Sequence, residues 1–258
     1  PAEALRIYRR VLIASCCHLP LRGVDLEASD PTVAQQHFDL ADVYVDLDTK
    51  RRIPADTPLP EALDDSPRKE WRELRYLSAL DAVIHIPRLV LLGEPGSGKS
   101  TFLNYLALSL AGTRQEQEQR LAAWPAAEDG AVPILLTLRD FAHWLPDDVG
   151  PAAPRHLWDF LTSRLKAQNL DFVADPLHQI LESGRAIVLL DGLDEIPTKG
   201  KRSFVRDAVR AFAERYPRSR MLVTCRVLSY QNPVWQLADF PDVDLRAKGQ
   251  DEDAPVPV

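Results

Sequence analysis

Residues 88–108 read RLVLLGEPGSGKSTFLNYLAL. The apolar run Leu89–Leu92 has the length and composition of a buried strand. It stops at Gly93-Glu94-Pro95-Gly96-Ser97-Gly98-Lys99-Ser100, which fits G-x-x-x-x-G-K-[ST]. Thr101 then opens an apolar stretch to Ala111 that reads as a helix. Each residue type has a mechanical reason. The glycines let successive backbone N–H groups turn inward as an anion nest. Lys99 has the reach for β- and γ-phosphate oxygens, and the Ser100 hydroxyl is a Mg²⁺ ligand. The helix starting near Gly98 points its positive end at the phosphates. Strand, loop and helix in this order make residues 93–101 a nucleotide-binding loop.

A second apolar run, Ala186–Asp191, ends in AIVLLDGLDEIP. At the carboxyl edge of a sheet, Asp191 would hold Mg²⁺ together with Ser100. Asp194 and Glu195 follow, and either could orient or deprotonate a water attacking the γ-phosphate. A third run, RMLVTCR, places Arg226 after a strand that fits between the other two. Its guanidinium suits a γ-phosphate, or an ion pair with one of the nearby acids. Arg139 and Asp140 end a further strand and read as structural.

The remaining chain follows an alternation of strands and helices. Helices are expected over 2–19, 67–86, 156–169, 176–183 and 203–216, and strands over 89–92, 132–138, 186–191 and 220–226. In 67–86, Trp71, Leu74, Leu77, Leu80, Val83 and Ile84 would share one helical side. The run 115–119 reads as a solvated helix face. The fold class is therefore α/β, a parallel sheet flanked by helices and preceded by a small helical segment. Residues 1–66 form the N-terminal helical and linker segment, 67–247 the nucleotide-binding domain, and 248–258 an acidic tail.

Composition narrows the function. A net charge of −7 over 258 residues argues against nucleic acid as the main partner. No run of apolar residues is long enough to cross a membrane. Arg6, Arg9, Arg10 and His18 interrupt the apolar stretch 4–21, so it reads as a surface or docking helix rather than a leader. Pro1 in first position marks the chain as a fragment or a processed product. Cys16, Cys17 and Cys225 make no disulfide framework. They read as partly buried thiols of a cytoplasmic protein, and Cys16-Cys17-His18 lacks the spacing of a zinc site.

The stretches VLLGEPGSGKSTFL, VPILLTLRDF, IVLLDGLDEIP and MLVTCRV occur in one order across residues 88–228. In that order the chain resembles a NACHT domain, a module of the signal-transduction ATPases with numerous domains. The resemblance implies a P-loop NTPase of the AAA+-like branch that binds ATP or ADP with Mg²⁺. It implies slow ATP hydrolysis as a switch, self-association when ATP is bound, and fused effector and sensor domains, as in bacterial relatives linked to antiviral defence. It assigns the loop roles to Lys99 and Ser100, the Mg²⁺ role to Asp191 and the sensor role to Arg226. VYVDLDT, at 43–49, resembles the segment near the adenine, with Tyr44 and Val45 as its contacts; an ordinary edge strand is the alternative. Cys225 departs from the usual Ser. The family's helical and winged-helix domains have no counterpart before Val258. A small-molecule kinase or a ring-forming motor are the competing functions, the motor pointing to Arg202, Arg206 and Arg210 as candidate arginine fingers or as an exposed basic face.

Overall fold

The structure, a computed structural model, describes residues 2–17, 40, 44, 47–54, 74–122, 124–125, 130–196 and 199–245. Five strands form one parallel sheet: β3 (Arg88–Leu92), β4 (Val132–Thr137), β5 (Ala186–Asp191), β6 (Arg220–Cys225) and β7 (Asp242–Asp244). Their order is β4-β5-β6-β3-β7. β6 thus lies between the phosphate-loop strand and the Asp191 strand, with Leu89 opposite Leu222 and Val188 opposite Met221. Strands β3, β5 and β6 are buried almost end to end, as a sheet covered on both faces requires.

The helices among the described residues are α1 (Ala2–Cys16), α2 (Ala79–His85), α3 (Lys99–Ala111), α4 (Arg114–Arg120), α5 (Leu138–Trp144), α6 (Pro154–Ala167), α7 (Ala174–Ser183), α8 (Lys199–Arg215) and α9 (Val227–Tyr230). Pro154 opens α6, where its missing N–H costs nothing. Gly184 closes α7 in the left-handed region, as its place in the sequence suggests. On α4 no side chain is buried, in keeping with a solvated face.

Several expectations need correction. Residues 67–86 are not one helix: Leu74–Ser78 is a strand, β2, antiparallel to β1 (Asp48–Pro54), and only Ala79–His85 is helical. The Ser78 hydroxyl accepts the Asp81 N–H at 3.0 Å, so the helix is capped where the strand ends. Local spacing cannot reveal a partner strand more than twenty residues upstream. Trp71 lies outside the described residues, as do His18, the boundaries at 66/67 and 247/248, and the acidic tail. β4 stops at Thr137 and Leu138 begins α5, β6 stops at Cys225, and β1, β2 and β7 were not expected.

Both sheet edges are covered. On the β4 side, the buried Tyr8 hydroxyl of α1 donates to the Pro133 carbonyl at 2.9 Å, and Arg9 donates to Gly130 O at 3.0 Å. Pro133 is tolerated because an edge strand needs no N–H on its free side. On the β7 side, a bridge between Thr49 and Leu245 joins the β1–β2 hairpin to the sheet. Tyr8, Leu12, Cys16 and Leu40 are buried in the same core as the five strands.

Arg202, Arg206 and Arg210 of α8 turn inward on the segment 233–239. Arg202 stacks on Trp235, Arg206 reaches the Pro233 and Val234 carbonyls, and Arg210 pairs with Asp239 at 3.3 Å. They fasten α8 to that loop rather than present a finger.

Candidate functional site

Parallel pairing sets the carboxyl ends of β3, β5 and β6 side by side, and each ends in a group the sequence singled out. Pro95–Thr101, Asp191, Gly192, Asp194, Glu195, Thr224 and Arg226 line one cavity of about 270 Å³. The phosphate loop, the acidic segment and Arg226 are therefore brought together as expected.

The loop wraps the start of α3. Gly98 has φ +90°, and a Cβ there would lie 3.2 Å from Leu47 Cδ1, so both torsion and space call for glycine. The Lys99 ammonium donates to the carbonyls of Gly93 (2.6 Å) and Glu94 (2.9 Å) and to Ser97 Oγ (3.3 Å). Burial pulls its pKa below the usual lysine range; Asp194 and Asp191 oppose that, while Arg226 adds to it. Gly93 and Glu94 thus serve through their carbonyls, behind the cavity wall.

Asp191 is held by a residue that sequence reasoning missed. Thr224 Oγ1 donates to Asp191 Oδ1 at 2.6 Å and accepts the Gly192 N–H at 2.8 Å. Thr224 is buried, so this bond fixes the direction of the carboxylate of Asp191, which lines the cavity. A threonine inside a strand looks like an ordinary β-former; only the pairing of β5 with β6 brings it beside Asp191. Asp191 and Ser100 supply hard oxygen donors, and both line the cavity. That donor set fits a small divalent cation held by one or two protein groups with phosphates completing its shell. Among the described residues no larger cluster of His, Cys, Asp or Glu competes for a metal.

Asp194 and Glu195 differ sharply. Asp194 Oδ1 accepts the Arg226 backbone N–H at 3.0 Å, and Oδ2 pairs with Arg226 Nε at 3.0 Å. The Asp194 side chain is 6% exposed and that of Arg226 is 50% exposed. Both Asp194 oxygens thus contact Arg226, which itself lines the cavity. Glu195 is exposed at the rim, and no described residue hydrogen-bonds its carboxylate. It folds back over Gly192, where a Cβ would lie 3.2 Å from its Cδ and φ is +77°. Cys225, beneath Arg226, has its thiol pushed up to about 12 by burial and by Asp194.

Tyr44 does not line this cavity. Its ring stacks on Tyr105 of α3, with centroids 3.7 Å apart and planes at 12°. Val45 lies outside the described residues. Leu47, two residues on, is the part of that segment that reaches the loop.

No helix among the described residues is long and apolar enough to cross a membrane. The chain matches the NACHT domain over residues 87–240. No curated protein matches it.

Proposed function

The chain belongs to the NACHT family, whose domains are nucleoside triphosphatases, and from that premise we propose that it is an adenine-nucleotide switch with slow ATP hydrolysis. One observation carries the reading: the phosphate loop, Asp191 and Arg226 open on a single cavity. Lys99 exchanges its bonds to Gly93 and Glu94 carbonyls for bonds to phosphate oxygens. Ser100 and Asp191 would hold Mg²⁺. When bound, Mg²⁺ neutralises phosphate charge during cleavage. Glu195 orients the attacking water, because no described residue hydrogen-bonds its carboxylate, whereas Asp194 is held on Arg226. Without a γ-phosphate, Asp194 holds the Arg226 guanidinium. A γ-phosphate and Asp194 then compete for one guanidinium, which gives ATP and ADP different pockets. That difference is what a switch controlling self-association and a fused effector needs. The inward-turned arginines of α8 favour this over a ring motor. The family resemblance supports a cytoplasmic role in defence signalling.

Calorimetry with Mg–ADP and Mg–ATP tests the pocket. Charge-assisted phosphate bonds are worth about 1.5–3 kcal/mol each. Lys99→Ala is therefore expected to weaken both nucleotides about tenfold or more. Unchanged affinity in that variant sinks the assignment.

A further inference from the structure

A second cavity, of about 530 Å³, lies at the opposite end of the sheet from the phosphate loop. It opens where β4 and β5 begin, between α1, the end of α3 and α7. Its apolar walls include Leu5, Ile13, Val132 and Ile180. Its charged groups are Arg6, Arg9, Arg10 and Arg185 against a single carboxylate, Glu116. That carboxylate is already committed: Oε2 accepts both the N–H and the hydroxyl of Thr113 at 2.7 Å, and Oε1 lies 3.8 Å from Arg120. Arg6 pairs with Glu3 at 2.6 Å. Arg9, Arg10 and Arg185 have no carboxylate partner among the described residues. Arg9 spends one terminal nitrogen on backbone carbonyls, while its Nε is buried with no acceptor. Arg9 and Arg185 also stand close enough to repel each other.

Arg9 is partly desolvated with Arg185 close by, while Arg10 and Arg185 are exposed and Arg185 Nε donates to Ser183 Oγ at 3.2 Å; an anion seated among the three would offset the desolvation and repulsion at Arg9. The planar guanidinium is suited to phosphate and carboxylate oxygens, and the volume suits a small molecule rather than a macromolecule. We propose that this cavity binds a small amphiphilic organic anion, its phosphate or carboxylate head held by Arg9, Arg10 and Arg185 and its apolar body against Leu5, Ile13 and Ile180. The site adjoins α1 and the core at once, so the ligand bridges the two. The proposal does not depend on the nucleotide reading.

n-Octyl phosphate serves as the probe, titrated calorimetrically into the protein saturated with Mg–ADP so that the phosphate loop is blocked. Arg10→Gln and Arg185→Gln alter exposed side chains that bury nothing, and Arg155→Gln on α6 is the control. Saturable one-to-one binding is expected, weakened by about fivefold or more in each of the first two variants and unchanged in the third. Octanol and inorganic phosphate should each bind more weakly than the probe. Four results overturn the proposal: no saturable binding, equal affinity in all variants, octanol or phosphate binding as tightly as octyl phosphate, or loss of binding on raising Mg–ADP.

Discussion

Asp194 and Glu195 are neighbours of the same charge, yet their surroundings differ, and the roles proposed for them differ accordingly. Asp194→Asn removes a buried carboxylate that pairs with Arg226 and lies near Cys225 and Lys99. It is expected to leave ADP affinity within about twofold, because the guanidinium it holds addresses the γ-phosphate that ADP lacks. The preference between ATP and ADP should shift instead, since Arg226 is freed. Glu195→Gln acts in the transition state alone, so it is expected to slow single-turnover hydrolysis about tenfold or more while sparing affinity. Parent-rate hydrolysis in Glu195→Gln would remove Glu195 as the water-orienting group. The thiols test burial at the same scale. Cys225 and Cys16 are buried, and burial raises both pKa values. Iodoacetamide at pH 8 is expected to label Cys17 and to spare the other two until the protein unfolds. For Cys225 the linkage sign follows. Its raised folded pKa gives stability that is full below the unfolded value of about 8.5 and lost as pH rises toward about 12. Urea midpoints that stay flat from pH 8 to pH 11 would contradict this. The meeting of Lys99, Ser100 and Asp191 about one cavity was legible in the sequence. Thr224 was not, because its role exists only once β5 and β6 pair.

Elements show the same division. The phosphate-loop strand, α3, β5, α7 and β6 each announce themselves by a short pattern and a terminating glycine, proline or charge. The hairpin of β1 and β2 does not. Leu74, Leu77, Leu80, Val83 and Ile84 are spaced as a helix, and the helical half, Ala79–His85, is real. The other half is recruited by a strand distant in sequence, and it protects the β7 edge through Thr49 and Leu245. α1 was expected as a surface or docking helix, but not its docking place. It closes the β4 edge with a hydroxyl and a guanidinium rather than another strand. Tyr8→Phe keeps the ring and deletes the donor to Pro133 O. A buried acceptor left unsatisfied costs about 1–3 kcal/mol. Urea unfolding is expected to show that loss as a lower midpoint with an unchanged slope. A midpoint equal to the parent's would mean that water replaces the hydroxyl and that α1 is not closing the edge as described.

For the whole molecule, the question is how far a γ-phosphate can move anything. Arg226 is the N-cap of α9, so a change at its side chain acts directly on that turn. α9 carries Leu228, 72% exposed, and ends at Tyr230, whose hydroxyl accepts the Leu237 N–H at 3.1 Å. The loop beyond leads into β7, and β7 meets the hairpin. This is a contiguous path from the cavity to the covered edge. Its energy is bounded. One charge-assisted contact to the γ-phosphate is worth about 1.5–3 kcal/mol, or roughly 10–100-fold. Full reversal of a two-state equilibrium from 1:99 to 99:1 needs about 10⁴-fold. Arg226 alone would therefore bias the proposed switch without completing it, and contacts in the proposed assembly would have to supply the rest. Amide exchange tests the local half of this. With a non-hydrolysable ATP analogue in place of ADP, exchange at 226–231 is expected to change by at most about 100-fold. The difference should vanish in Arg226→Ala. In Asp194→Asn the ADP-bound protein should already resemble the ATP-bound parent, because the competing carboxylate is gone. Light-scattering mass measured on the same samples reports the assembly half. Exchange at 226–231 that is indifferent to the γ-phosphate, alongside a mass that still follows it, would show that assembly reads the nucleotide by a route other than Arg226.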